Sequence, residues 1–209
     1  MNVLHLEASP RGAQSHSRQV SETLVAAIKA AKPDATITYR DLNEPVVPHV
    51  TGEFVQAALY GLMAGETPTP EGVAALAFSD TLVAEIQAAD VIVLATPMYN
   101  FGLPSVAKAY IDQVVRTGKT VIYDATGPVG QLNGKKMIAV TAYGGGGYGP
   151  GEARESANFV DGHIKTAFGF IGITDITFVP VQGTLGGEAS VQSVISAAHG
   201  KISEIVAAL

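Results

Sequence analysis

Three short stretches of this chain combine residue types that can do chemistry. Residues 9–17 read SPRGAQSHS, with hydroxyls at Ser9, Ser15 and Ser17, an imidazole at His16 and Gly12 among them. Ahead of a helix, such hydroxyls and free backbone N–H groups make a phosphate cradle, reinforced by the helix dipole. The same serines would equally serve as helix caps. No Gly-Lys-Ser/Thr follows, so the stretch is not a Walker loop. Residues 96–105 read TPMYNFGLPS directly after the apolar run VIVLA. Tyr99 and Phe101 could wall an aromatic heterocycle while Asn100 bonds its polar rim, or the rings could simply pack under the next helix. Residues 142–151 read AYGGGGYGPG. Gly144-x-Gly146-x-x-Gly149 matches the dinucleotide spacing, but that fingerprint belongs after a first strand and before a closely packed helix. Here it follows a late strand and runs into Pro150. It is either a flexible loop or a backbone that approaches a flat ligand closely, which glycine permits.

Other chemistries are excluded or unsupported. With no cysteine in 209 residues there is no disulfide, thiolate nucleophile or thiolate metal site. No Gly-x-Ser-x-Gly elbow occurs, and His5, His49, His163 and His199 are scattered without metal-ligand spacing. Arg40 and Asp41 read as a solvated pair ending a strand. A net charge of −6 and a pI near 5.3 argue against nucleic-acid binding. The start runs straight into a strand-like VLHL without a basic, then apolar, leader, and no apolar run nears a membrane span. A soluble cytoplasmic protein is therefore expected, with no membrane partner. Hydrophobic residues make up 47% and charged residues 15%, with a mean hydropathy of +0.25, which implies surface buried in an oligomer.

The elements that must position these stretches alternate along the chain. Strands are expected at 3–8, 35–42, 91–96, 136–143 and 176–182, on their apolar, strand-length patterns. Helices are expected at 17–31, from about 104, at 153–169 and at 188–208, with two more near 52–63 and 72–88 around GETPTPEG. A short KTVIYD element and the turn after it could form a hairpin. Such alternation predicts a doubly wound α/β fold of flavodoxin-like type: five parallel strands in the order 2-1-3-4-5, with helices on both faces. One domain spanning 1–209, with a helical insert at about 50–89, accounts for the length. In such a sheet ligands bind beyond the carboxyl ends of the strands, where all three stretches emerge. Together they describe one ligand, a phosphate at the first loop and a planar ring between the other two, which is how this fold holds FMN.

The chain also resembles the FMN-dependent NAD(P)H azoreductase/quinone oxidoreductase family nearly end to end. The resemblance rests on SPRGAQSHSRQ, YRDL, FSDTLVAEIQAADVIVLATPMYNFGLPS, YDATGPVGQLNGKKMIAVTAYGGG and GFIGITDITFV. It implies that Ser9, Ser15, His16 and Ser17 hold the FMN phosphate. Pro97, Met98, Tyr99, Asn100 and Phe101 would line the isoalloxazine, with Ala142, Tyr143, Gly144 and Gly145 on its other rim. Tyr123 and Phe170 are similar to aromatics that shape the substrate pocket, contributed partly across a homodimer interface. The implied activity passes two electrons from NADH or NADPH through FMN to quinones and azo compounds, by a ping-pong cycle without a catalytic side chain. A flavodoxin-like FMN electron carrier with no small-molecule substrate is the alternative. Two departures stand out: Tyr143 replaces an Arg common in relatives, and four consecutive glycines exceed the usual loop. The 50–71 segment varies in the family, so neither nicotinamide preference nor acceptor choice carries over from it.

Overall fold

A computed structural model describes residues 1–60 and 63–209. Five parallel strands form the main sheet: β1 (Asn2–Glu7), β2 (Thr36–Asp41), β3 (Val91–Pro97), β6 (Lys136–Tyr143) and β7 (Asp175–Gln182). Their order is β2-β1-β3-β6-β7, the expected 2-1-3-4-5 winding of the five parallel strands. Two further strands, β4 (Val121–Asp124) and β5 (Gly127–Gly130), form the anticipated hairpin outside this sheet. The hairpin docks where Gly130 meets the backbone of Ile171 and Gly172 so closely that a Cβ would find no room.

Alternating strand residues divide the core between the two faces. Leu4, Leu6, Ile92, Leu94, Met137 and Ala139 pack on α3 (Pro70–Ala88), α4 (Ser105–Val114) and α5 (Phe159–Phe170), while Val3, Val91, Val93, Ile138 and Val140 pack on α1 (His16–Ala31), α6 (Glu188–His199) and α7 (Ile202–Ala207). Burial on both faces is why the strands read as continuous apolar runs. Helix starts follow local chemistry. Thr69 Oγ1 accepts the Gly72 N–H at 3.1 Å with Pro70 in the first turn of α3, and the Asn158 side chain caps α5. That cap divides the expected 153–169 helix into a single turn (Glu155–Ala157) and α5, and the last helix breaks at Gly200 into α6 and α7. The insert carries α2 (Gly52–Val55) and a π-helical turn (Gln56–Tyr60) around its own small apolar cluster. Of the expected 52–63 helix, residues 52–60 divide into these two turns, and residues 61–62 lie outside the described residues.

A buried polar network lies where β1 faces α1. Glu7 is fully buried, and its Oε1 sits 2.7 Å from His5 Nε2 and 2.5 Å from the Ser21 hydroxyl that donates to it. Arg18 Nε lies 3.7 Å from Glu7 Oε2, while the guanidinium donates to Asp41 Oδ2 at 2.6 Å and to the Tyr39 hydroxyl at 2.7 Å. Arg40 pairs instead with Glu85. Arg40 and Asp41 are therefore not a mutually solvated pair, because strand alternation sends them to opposite faces.

Burial works against the Asp41 charge, but the Arg18 guanidinium and the Asn43 N–H groups outweigh it and hold the carboxyl below its ordinary value. A lowered folded-state pKa means the stabilisation is present above the unfolded value of about 3.9 and is lost as pH falls through the folded one. Thermal unfolding followed from pH 7 to pH 3 is thus expected to show an acid-limb loss of stability that Asp41→Asn reduces. A variant with an unchanged acid limb would show that Asp41 contributes nothing.

Candidate functional site

The carboxyl ends of β1, β3 and β6 are level with one another, since Ala8 N–H bonds Ala95 O at 2.9 Å and Met98 N–H bonds Ala142 O at 2.8 Å. The three chemically equipped loops therefore leave one edge side by side. They enclose a cleft of about 180 Å³ lined by Ser9, Arg11, Ser15 and His16, then Pro97, Met98 and Tyr99, then Ala142 and Gly144, closed by Thr184 and Leu185. A larger groove of about 730 Å³ runs along Thr36, Thr38 and Glu85, but it includes Asn2 and Ala89, at the opposite ends of the strands. Volume alone does not select the site.

The first loop turns through Gly12–Gln14 before α1 begins. Ser15 caps the helix, accepting the Arg18 N–H at 3.3 Å, and its hydroxyl lies 3.1 Å from that of Ser17. Capping and ligand binding are thus not exclusive, because a serine hydroxyl keeps its proton to donate. Ser9 is buried and accepts from the Arg11 N–H at 3.4 Å; Ser17 is fully buried beneath Ser15 rather than lining the cleft. The N–H groups of His16 and Ser17, at the positive end of a 16-residue helix, enter no hydrogen bond among the described residues. His16 Nδ1 is buried without a partner. Burial, and then the charge of Arg11, hold this imidazole below its ordinary value, so it meets a ligand at neutral pH as an uncharged donor or acceptor.

The middle loop closes on itself. Tyr99 N–H bonds Gly102 O at 2.9 Å, and Gly102 N–H returns to Tyr99 O at 3.0 Å. This forces Asn100 and Phe101 to φ of 49° and 70°, left-handed values. Asparagine tolerates the conformation, but for phenylalanine it costs roughly 1–2 kcal/mol. Tyr99, Asn100 and Phe101 are all exposed, and the N–H groups of Asn100 and Phe101 are unused among the described residues. Strain of this kind persists where surrounding bonds over-determine it, as the reciprocal pair does here.

The glycine loop is stitched to a fourth loop that the sequence reading passed over. Thr184 N–H and Oγ1 both donate to Tyr143 O at 3.0 Å, Leu185 N–H bonds Gly144 O at 3.0 Å and Gly183 N–H bonds Gly145 O at 2.9 Å. Leu185 presses so closely on Gly144 that a Cβ there would lie 2.8 Å from Leu185 Cδ1. With their carbonyls engaged, Gly144 and Gly145 keep unused N–H groups among the described residues. Tyr143 turns its ring into the core, where the hydroxyl donates to Asp161 Oδ1 at 2.8 Å. Burial and then Asp161 raise its pKa, so its proton is not free, and its carbonyl is already taken by Thr184. The Gly-Thr-Leu-Gly-Gly run after β7 was a readable signal, being a glycine-rich exit from the same sheet edge.

Tyr123 and Phe170 come together elsewhere. They line a second cavity of about 320 Å³ with Phe54, Val55 and Val121, between the hairpin, the insert and α4. Tyr123 is 55% exposed and Phe170 38%. Among the described residues no cluster of His, Asp and Glu could hold a metal ion, and no helix is long and apolar enough to cross a membrane.

Comparison with known proteins places these observations in a lineage. A family model described as flavodoxin-like fold matches residues 1–206. An FMN-dependent NADH:quinone oxidoreductase of Nostoc punctiforme is 44% identical over 197 residues, covering 94% of each chain. An FMN-dependent NAD(P)H:quinone oxidoreductase 1 of Pseudomonas aeruginosa is 41% identical over 197 residues, 90% of each. Among solved structures, a Bacillus anthracis azoreductase superposes with a TM-score of 0.88 at 27% identity over 100% of both chains. A B. anthracis FMN-dependent NADH-azoreductase in complex with FMN gives 0.87 at 25% identity, covering 99% and 98%.

Proposed function

This chain belongs to the flavodoxin-like FMN-dependent NAD(P)H:quinone oxidoreductase and azoreductase family, and from that premise we propose that it reduces quinones and azo compounds with NADH or NADPH through FMN held in the four-loop cleft. The observation that carries the site is the meeting of three loops at one cleft whose lining includes His16 and Gly144, both with unused N–H groups, together with the orphaned His16 Nδ1. Those groups fit FMN. The hydroxyls of Ser9 and Ser15 and the N–H groups of His16 and Ser17 would hold the phosphate, with Ser17 fixing the Ser15 hydroxyl from below. Pro97, Met98, Tyr99, Asn100 and Phe101 would line the ring on one side, and Ala142, Gly144 and Gly145 on the other, with Tyr143 between them anchoring Thr184.

Bound FMN supplies a ring able to accept a hydride at N5 and to pass two electrons on. The protein holds and tunes it. N–H groups at Asn100 and Gly144 would stabilise negative charge building on the ring edge. Proton supply falls to water, since Tyr143 is committed to Asp161. A ping-pong order, in which the oxidised nicotinamide leaves before the acceptor takes its place, completes the proposal. The exposed Tyr123 and Phe170 at the second cavity support a homodimer in which those aromatics complete a partner's substrate pocket.

The test is FMN titration of the purified protein by flavin fluorescence, followed by NADH and NADPH oxidation with a benzoquinone and with an azo dye. No FMN uptake overturns the proposal, and uptake without nicotinamide oxidation leaves the electron-carrier function. In the same assays Asn100→Ala is expected to raise the FMN Kd about three- to tenfold, the worth of one hydrogen bond, with an unchanged circular dichroism spectrum. Unaltered affinity and turnover would show that the Asn100 side-chain amide makes no contact with the flavin and would leave only its backbone N–H for that role.

A further inference from the structure

After the glycine loop the chain makes an excursion over residues 146–158 and comes back to the cleft's edge. Asn158 Nδ2 donates to Tyr148 O at 3.1 Å, and the Phe159 N–H donates to Phe101 O at 3.1 Å. Arg154 is held inside this excursion. Its N–H bonds Gly147 O at 2.7 Å, and its guanidinium carbon sits 6.0 Å over the Tyr148 ring, which itself stacks on Tyr143 with centroids 5.5 Å apart. Its Nη1 reaches Gly145 so closely that a Cβ there would lie 3.0 Å away.

This cation is positioned but not neutralised. Among the described residues Arg154 forms no ion pair. The acidic groups on the neighbouring segments are engaged by other donors. Glu152 Oε2 accepts from Gly149 N–H at 2.6 Å and from Gln182 Nε2 at 3.0 Å; Glu155 Oε2 accepts from Gly151 N–H at 2.8 Å; Asp161 accepts from Tyr143 and Asn158. Around the cleft, Tyr99, Phe101, Phe159 and Leu185 leave an exposed apolar collar. A flat apolar ring suits that collar, and a guanidinium held over Tyr148 and beside Gly145, the neighbour of the cleft-lining Gly144, suits a planar anion on the ring.

We propose that Arg154 is a specificity-determining residue that binds the sulfonate or carboxylate of an anionic aromatic acceptor lying on the collar; this rests on the flavin reading of the cleft. The stack on Tyr148 limits the freedom the guanidinium must lose on binding, which favours a directional contact over mere charge attraction.

The experiment compares FMN-loaded wild type, Arg154→Ala and Arg154→Lys with 1,4-naphthoquinone-2-sulfonate and the uncharged 2-methyl-1,4-naphthoquinone. Arg154→Ala is expected to raise KM for the sulfonate about tenfold and to change KM for the neutral quinone less than about twofold, with Lys restoring part of the loss. Added salt should raise the sulfonate KM in wild type but not in Arg154→Ala. Equal changes for both quinones, or no change for either, overturn the assignment. Calorimetric titration with the sulfonate reads the same contact without turnover: tenfold weaker binding by Arg154→Ala supports it and equal binding overturns it. Should wild type reduce neither quinone, the flavin reading fails while the calorimetry still decides Arg154.

Discussion

Glu7→Ala is expected to lower the stability of the FMN-free protein by about 3–5 kcal/mol, the cost of stranding buried charges whose partner has been removed. Glu7 has no exposed surface, His5 retains 3% and Arg18 9%, so water cannot replace the missing carboxylate. Arg18 would keep Asp41 and Tyr39, but its Nε, already without a hydrogen bond, would lose the Glu7 field as well. In a domain of this size the midpoint should fall on the order of 10 °C. Glu7→Gln keeps an acceptor for Ser21 and fills the same space, so it should cost markedly less. Urea unfolding of the two variants side by side measures this. A Glu7→Ala loss under about 1 kcal/mol, within the range of an ordinary surface change, would show that the network is not held together by Glu7. The consequence reaches the cleft, because Glu7 is two residues before Ser9 and Arg18 directly follows Ser15, His16 and Ser17 at the start of α1.

Ser15→Ala is expected to weaken FMN binding about 10- to 100-fold, while riboflavin binding changes little. A hydrogen bond to a charged phosphate contributes roughly 1.5–3 kcal/mol, and each 1.4 kcal/mol is tenfold in affinity. The variant also frees the Arg18 N–H that Ser15 caps at 3.3 Å, which should cost α1 about 1 kcal/mol. The pair of ligands separates the two effects. Loss of the cap alone would disturb FMN and riboflavin alike, whereas loss of a phosphate ligand is felt only by FMN. Fluorescence titration with each flavin reads the difference, and parallel weakening would assign Ser15 to capping alone.

Much of this molecule is legible in its sequence. The apolar runs 3–8, 91–96 and 136–143 identified the buried strands, and their alternation with helical patterns implied the doubly wound sheet. That winding fixes which strand ends are adjacent, so it also implied that SPRGAQSHS, TPMYNFGLPS and the glycine loop share an edge. These are consequences of local periodicity and of the limited ways a parallel sheet can be wound.

Other features depend on partners distant in sequence. The run VLHLE looked like an ordinary buried strand; only the packing of α1 and β2 around it shows that Glu7 is compensated by Arg18, which is in turn held by Asp41. Tyr143 was expected among the residues on the flavin's other rim; strand pleating turns its ring toward Asp161, and Thr184 takes its carbonyl. Thr184 and Leu185 reach the cleft because β7 lies beside β6, a proximity that no local pattern encodes. Tyr123 and Phe170, 47 residues apart in number, share a cavity of their own rather than the cleft. The sequence by itself determined the strands, their winding and the chemistry of the loops, because those depend on neighbours within a few residues. Which side chains face the cleft, which charges are paired and where a free guanidinium remains were decided only by tertiary structure, since each requires distances between residues that the chain brings together only when folded.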